Sequence, residues 1–232
     1  MAERNPFDKG KTLLAKENNS RLRYLSKEEI SKLLPSCPPH LYDIVLCALN
    51  TGMRRGEILG LKWDQIKDGL IYLQHTKTNT PRQVPINQTL TELFKFIRKK
   101  QKIGTQYVFT FSPKAKRKEE NSLTVVNTET GDRVLEVKRS FATAMKKAGI
   151  DNFRFHDLRH TFASHMIMRG ASLKEVQEIL GHTTMTMTLR YAHLSQEHKL
   201  KAVNLLDGLT SPSVTKRHIS PEDKKKELTV NG

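Results

Sequence analysis

HDLRHTFASHMIMRG, residues 156–170, is the stretch on which the reading of this chain turns. His156 and His160 stand four apart, so on a helix they share a face at the spacing of a metal-binding pair. His165 adds a third imidazole. A zinc site needs three or four ligands, and no cysteine cluster or HExxH motif in the sequence completes this one. Arg159 also lies between the two histidines and would repel a cation. An anion fits better, because the planar guanidinium fork suits bidentate contact with phosphate oxygens. A near-helical HDLR brings His156 and Arg159, three apart, to one side. Taken singly, each histidine reads as a hydrogen-bonded packing residue. Taken together on a basic chain, they read as a phosphate site.

The chain is strongly basic. Its 232 residues carry 40 Lys and Arg against 24 Asp and Glu, a formal charge of +16. An excess of that size points to a polyanion, DNA or RNA first. An acidic membrane would call for a basic amphipathic helix or a lipidation motif, and the sequence shows neither. It also has no run of 18 apolar residues and no apolar N-terminal signal region, so a cytoplasmic setting is expected. The two cysteines, Cys37 and Cys47, make no disulfide framework, and Cys47 in LYDIVLCALN reads as a small core residue.

Working outward, the hydrophobic period is mostly helical. Residues 1–25 are polar without a clean period and read as a linker or arm. Ser26 and Glu29 form a capping box ahead of Ile30, Leu33 and Leu34. PHLYDIVLCALNTG is a buried helix stopped by Gly52, and RRGEILGL is a short one. LIYLQH and RQVPI flank the turn-rich TKTNTP as a β-hairpin. QTLTELFKFIRKK is helical again, YVFTF is a short strand candidate, and residues 113–133 read as an insertion loop. VLEVKRSFATAMKKAGI ends at Gly149. Helices follow from Asp157 to Arg169, from Ser172 to Leu180, and in one or two further pieces to about Leu206. MTMTL, residues 185–189, reads as helix packing. The fold class is therefore α+β, mainly α-helical, with a small antiparallel hairpin or sheet. The domain is placed at 26–207, and 208–232 reads as a polar, disordered tail. That tail carries five Lys or Arg and three Asp or Glu, so all but two of the sixteen charges belong to the rest of the chain.

Three stretches, TGMRRGEILGL, HDLRHTFASHMIMRG and LGHTTMTMTLRYAHL, resemble in order and spacing the signature boxes of the tyrosine recombinases, the phage-integrase family. The resemblance runs from about Arg21 to Leu206 and implies that family's catalytic-domain fold. It also implies a catalytic set. Arg54, directly after Thr-Gly-Met, resembles the first catalytic arginine. Lys77 in the hairpin turn resembles the catalytic lysine, with Arg82 a weaker candidate. His156 and Arg159 match the HxxR box, His182 the Gly-His box, and Tyr191 the nucleophile. Glu57 matches an acidic position that buttresses the site. His160 reads as a packed, hydrogen-bonded neighbour, and His165 as lying toward a helix flank.

The residue types fit that chemistry on their own. Strand cleavage by transesterification needs a nucleophile that keeps the bond energy in a covalent ester, and a tyrosine hydroxyl can do so. With a reference pKa near 10, only about one phenol in a thousand is ionised at neutral pH, a deficit of about 4 kcal/mol. His156 is expected to handle the phenolic proton. Arg54, Arg159 and His182 would hold the nonbridging oxygens, and Lys77 would protonate the departing 5′ oxygen. No metal or other cofactor is called for.

The expected function is thus site-specific recombination of double-stranded DNA through a 3′-phosphotyrosyl intermediate. A relaxing topoisomerase of similar chemistry and a DNA-binding remnant without turnover are the alternatives. The resemblance further implies a bacterial or phage-encoded protein and a homotetramer on DNA. Family members usually carry an N-terminal DNA-clamping domain, and the opening of this chain resembles the linker after it. A catalytic fragment, monomeric without DNA, is the expectation.

Overall fold

The computed structural model describes residues 22–74, 81–101, 103–110, 132–195 and 203–209. The chain divides into two units, Met1–Ala192 and His193–Gly232. Lys77, the 113–131 part of the expected insertion loop, and the tail from residue 210 lie outside the described residues.

The first unit is built mainly of helices, and local chemistry sets their ends. α1 (Lys27–Ser36) starts at Ser26, whose hydroxyl accepts from the Glu29 amide while the Glu29 carboxylate accepts from the Ser26 amide. α2 (Pro39–Thr51) begins on proline, and Gly52 stops it in the left-handed region at φ 60°. α3 (Arg55–Leu59) follows at once. The strands β1 (Ile66–Lys67), β2 (Leu70–Leu73) and β3 (Arg82–Pro85) make an antiparallel sheet in that order. Pairing Ile71 with Val84 puts two fully buried side chains on one face, so the apolar alternation sets the register. α4 (Gln88–Lys100) is capped by Asn87.

α5 (Lys138–Ala148) begins later than its period suggests, because Val134 and Val137 are already buried in the non-helical approach. α6 (Asp157–Met168), α7 (Leu173–Leu180) and α8 (Thr186–Leu189) complete the unit. Tyr107 and Thr110 make isolated bridges to Lys62 and Arg133, so the expected YVFTF strand is reduced to two single pairings among the described residues. The expected packing role of MTMTL is also corrected. Met185, Met187 and Leu189 are exposed, and the buried residue of the run is Thr188.

α2 packs against α6, α1 against α5, and α7 against both α6 and β3. α6 is the central element: every residue from Asp157 to Ser164 is buried, polar and apolar alike. The segment ahead of α1 is fastened to it as well. Leu25 is fully buried, its amide donates to the Thr161 hydroxyl, and its carbonyl lies 2.8 Å from His165 Nε2. Residues 23–25 are therefore packed on the domain, and His165 on the α6 flank is one of the groups that hold them. Of the second unit, residues 193–195 and 203–209 are described, with Val203, Leu205, Leu206 and Leu209 exposed.

Candidate active site

Arg159 enters the core on α6 and is 5% exposed. Its Nη1 donates to the Gly52 carbonyl at 2.8 Å and its Nη2 to the Leu180 carbonyl at 2.7 Å. The guanidinium is thus aimed by the C-terminal ends of α2 and α7, where helix carbonyls lack intrahelical partners and carry partial negative charge. No carboxylate pairs with it through a hydrogen bond among the described residues. Burial together with the nearby Arg54 and Arg82 lowers its pKa to about 10, which still leaves it cationic at neutral pH.

Close packing here dictates two glycines. A Cβ on Gly52 would lie 2.4 Å from Phe162 Cδ1 and 2.6 Å from Leu180 Cδ2, in a backbone conformation that already favours glycine. A Cβ on Gly181, at φ 66°, would meet Arg82 Cδ at 2.6 Å. Thr-Gly before Arg54 and Leu-Gly before His182 therefore allow α2, α6 and α7 to converge.

Arg54 is the N-cap residue of α3, and its Nη1 lies 3.0 Å from Glu57 Oε1. Glu57 also accepts from the Arg54 amide at 2.7 Å and from Arg82 Nη1 and Nη2 at 3.0 and 2.6 Å. Burial alone would raise the Glu57 pKa, but these arginine and amide contacts outweigh it and hold the carboxylate below its ordinary range. Glu57 thus ties Arg54 and Arg82 to one carboxylate. Arg82 also donates through Nε to the Ile179 carbonyl. Its side chain ties β3, α3 and the end of α7 together.

His182 follows the α7 stop, and its Nδ1 lies 2.8 Å from the Thr188 hydroxyl. Burial, with Arg159 and Arg54 nearby, lowers its pKa to about 4. His156 is the N-cap residue of α6, and its pKa is likewise lowered by burial and then by Arg159. Tyr191 is 1% exposed, and its hydroxyl lies 2.6 Å from His160 Nδ1. Burial pushes this phenol up to about 12, against the pull of Arg190 and Arg159. The His156 and His160 rings meet edge to face with centroids 5.3 Å apart.

Arg54, His156, His182 and Tyr191 each lie within electrostatic reach of Arg159, while Lys77 falls outside the described residues. Two further participants were hidden in the sequence, Thr188, which orients His182, and Arg190, which acts on all three histidines and the phenol; the pairing of Arg82 with Glu57 was hidden as well. Beside Arg54 and His156 lies an open groove of about 1320 Å³ with an apolar floor that includes Phe141, Met145 and Phe153. Arg55, Lys138, Lys146 and Arg154 also line it. Among the described residues, no three His, Cys, Asp or Glu lie together so as to hold a metal ion.

Residues 23–198 match the model of the phage integrase family. The chain belongs to the phage integrase family. This family member is 32% identical over 219 residues to the integrase of Salmonella phage P22, covering 92% of this chain and 54% of that one. It is 32% identical over 194 residues to the tyrosine recombinase XerA of Pyrococcus furiosus, covering 80% of this chain and 63% of that one. The catalytic domain of bacteriophage HP1 integrase superposes on it with a TM-score of 0.58 at 30% identity, covering 82% of this chain and all of that one. The fold is that of a tyrosine-recombinase catalytic domain, α-helical with a small antiparallel sheet. The chain spans about half the length of the phage integrases it matches. No helix among the described residues is long and apolar enough to cross a membrane.

Proposed function

We propose that this domain cleaves and rejoins double-stranded DNA at specific sites, as the catalytic part of a site-specific recombinase. The observation that carries the reading is one cluster: a buried tyrosine hydroxyl within electrostatic reach of Arg159, which is itself coupled to Arg54 and His182. In the proposed step the Tyr191 oxygen attacks phosphorus, a phosphotyrosyl ester forms at the 3′ side, and the bond to the 5′ oxygen breaks. Arg54, Arg159 and His182 stabilise charge on the nonbridging oxygens, each contact of this kind being worth roughly 3–4 kcal/mol. With Nδ1 of His182 turned to Thr188, Nε2 is the ring nitrogen left for phosphate. Lys77 is assigned the proton that the departing 5′ oxygen needs. His156 borders the same space and is assigned the phenolic proton that Tyr191 gives up as the ester forms. Rejoining is the reverse, with a 5′ hydroxyl attacking the ester.

Assembly as a tetramer on DNA, action beside DNA in the bacterial cytoplasm, and integration or excision of a mobile element belong to this reading through the family. The charge of +16 and the basic-lined groove support DNA as the partner. The test is a pool of nicked duplexes, randomised across the core, in which cleavage next to the nick releases a short fragment and traps the ester. The chain should form an adduct stable to denaturant, and Tyr191→Phe should form none. A full-strength adduct from Tyr191→Phe would refute the assignment.

A further inference from the structure

The Tyr191 hydroxyl is held by His160, one residue past Arg159, and not by the HxxR histidine that would be expected to handle its proton. The direction of that hydrogen bond follows from the surroundings. A phenol in this setting keeps its proton, and among the described residues His160 Nδ1 is the acceptor within reach. Were Nδ1–H to donate instead, the buried O–H would be left unsatisfied, at a cost of about 1–3 kcal/mol. The neutral imidazole therefore accepts and the phenol donates.

The two partners sit on very different supports. His160 lies on the buried part of α6, and so does Arg159, which is fastened to Gly52 and Leu180. Tyr191 follows the four-residue α8, and its neighbours Leu189 and Arg190 are exposed. Packing holds the Tyr191 ring, and the hydrogen bond to His160 ties the phenol oxygen itself to the buried central helix.

We propose that His160 is the positioning residue of the nucleophile. It fixes the phenolic rotor, turns the proton toward imidazole, and leaves the oxygen lone pairs for a phosphorus held by Arg159. The proposal rests on reading Tyr191 as the nucleophile. It adds a residue to the machinery without asking His160 to keep the proton.

The experiment compares three variants of the chain on the same randomised nicked duplexes. His160→Phe keeps a flat ring without an acceptor. His160→Gln carries its acceptor beyond the Nδ1 position. His160→Asn places its amide oxygen where Nδ1 was. Single-turnover adduct formation should fall about 10- to 100-fold in His160→Phe and His160→Gln, the loss expected for one buried hydrogen bond. It should return to within about threefold of wild type in His160→Asn. Retention of DNA should be unchanged in all three. Without DNA, the Tyr191 Cζ resonance should move in the Phe and Gln variants and stay near its wild-type position in Asn. A bridging sulfur at the 5′ position, which needs no proton to leave, should not rescue the Phe variant.

Wild-type cleavage by His160→Phe and His160→Gln, or an Asn variant no better than they are, overturns the role of His160 and leaves the recombinase reading intact. Failure of the wild-type chain to form any adduct overturns the recombinase reading itself, while the resonance shifts still report whether His160 holds the phenol.

Discussion

Arg159 shows at the scale of one residue why this site prefers arginine. Two carbonyls at helix ends take two of its five N–H groups, and the rest of the fork is left for an oxyanion. Arg159→Ala should abolish adduct formation and leave DNA retention within about tenfold of wild type. An equal loss of both would contradict a role in the transition state. Gly52→Ala should destabilise the domain by about 1–3 kcal/mol through the clash with Phe162 and Leu180, and denaturant unfolding would measure it. The buried histidines set a pH dependence. His160 and His182, both near 4 when folded and 6.5 when free, bind fewer protons in the native state. Their contribution to stability is complete above pH 6.5 and is lost as the pH falls toward 4. Thermal midpoints should drop through that window, and less steeply in His160→Asn; a midpoint flat from pH 6.5 to 4 would contradict the depressed values.

Among the elements, the ends of α2, α6 and α7 and the start of α3 build the site, and β3 is fastened to them by Arg82. Arg82→Met leaves Glu57 paired with Arg54 alone and strips the Ile179 carbonyl of its donor, so it should cost about 1–3 kcal/mol and weaken cleavage through Arg54. Chemical denaturation and the adduct assay would read the two effects, and an unchanged stability would contradict the clamp. Much at this scale was legible in the chain. Ser26 with Glu29 and Ser172 with Glu175 mark helix starts, Gly52, Gly149 and Gly181 mark stops, and the hairpin follows from alternation around a turn. What escaped depends on partners distant in sequence. YVFTF pairs with single residues of other segments, and α5 starts late because burial of Val134 and Val137 overrides helical period. Arg82 meets Glu57 across 25 positions and His160 meets Tyr191 across 31, distances over which no local pattern speaks. The histidine spacing at 156 and 160 was visible, but its meaning came from the fold: one imidazole lines the groove beside Arg54 and the next meets the Tyr191 hydroxyl.

For the whole molecule, the basic excess lies mostly outside the tail, as the proposed meeting with DNA requires. Binding should weaken steeply with salt, losing orders of magnitude between about 50 and 200 mM if six or more phosphates are contacted. Titration of a labelled duplex over that range would show it, and a salt-independent affinity would contradict a phosphate-led interface. The central claim is chemical, and the most direct measurement is the identity of the covalent bond. Adduct trapped on a nicked duplex, digested with protease and nuclease and sequenced by mass spectrometry, should carry a 3′-nucleotide on the peptide containing Tyr191. A nucleotide on any other side chain, or one joined through its 5′ phosphate, would contradict the account.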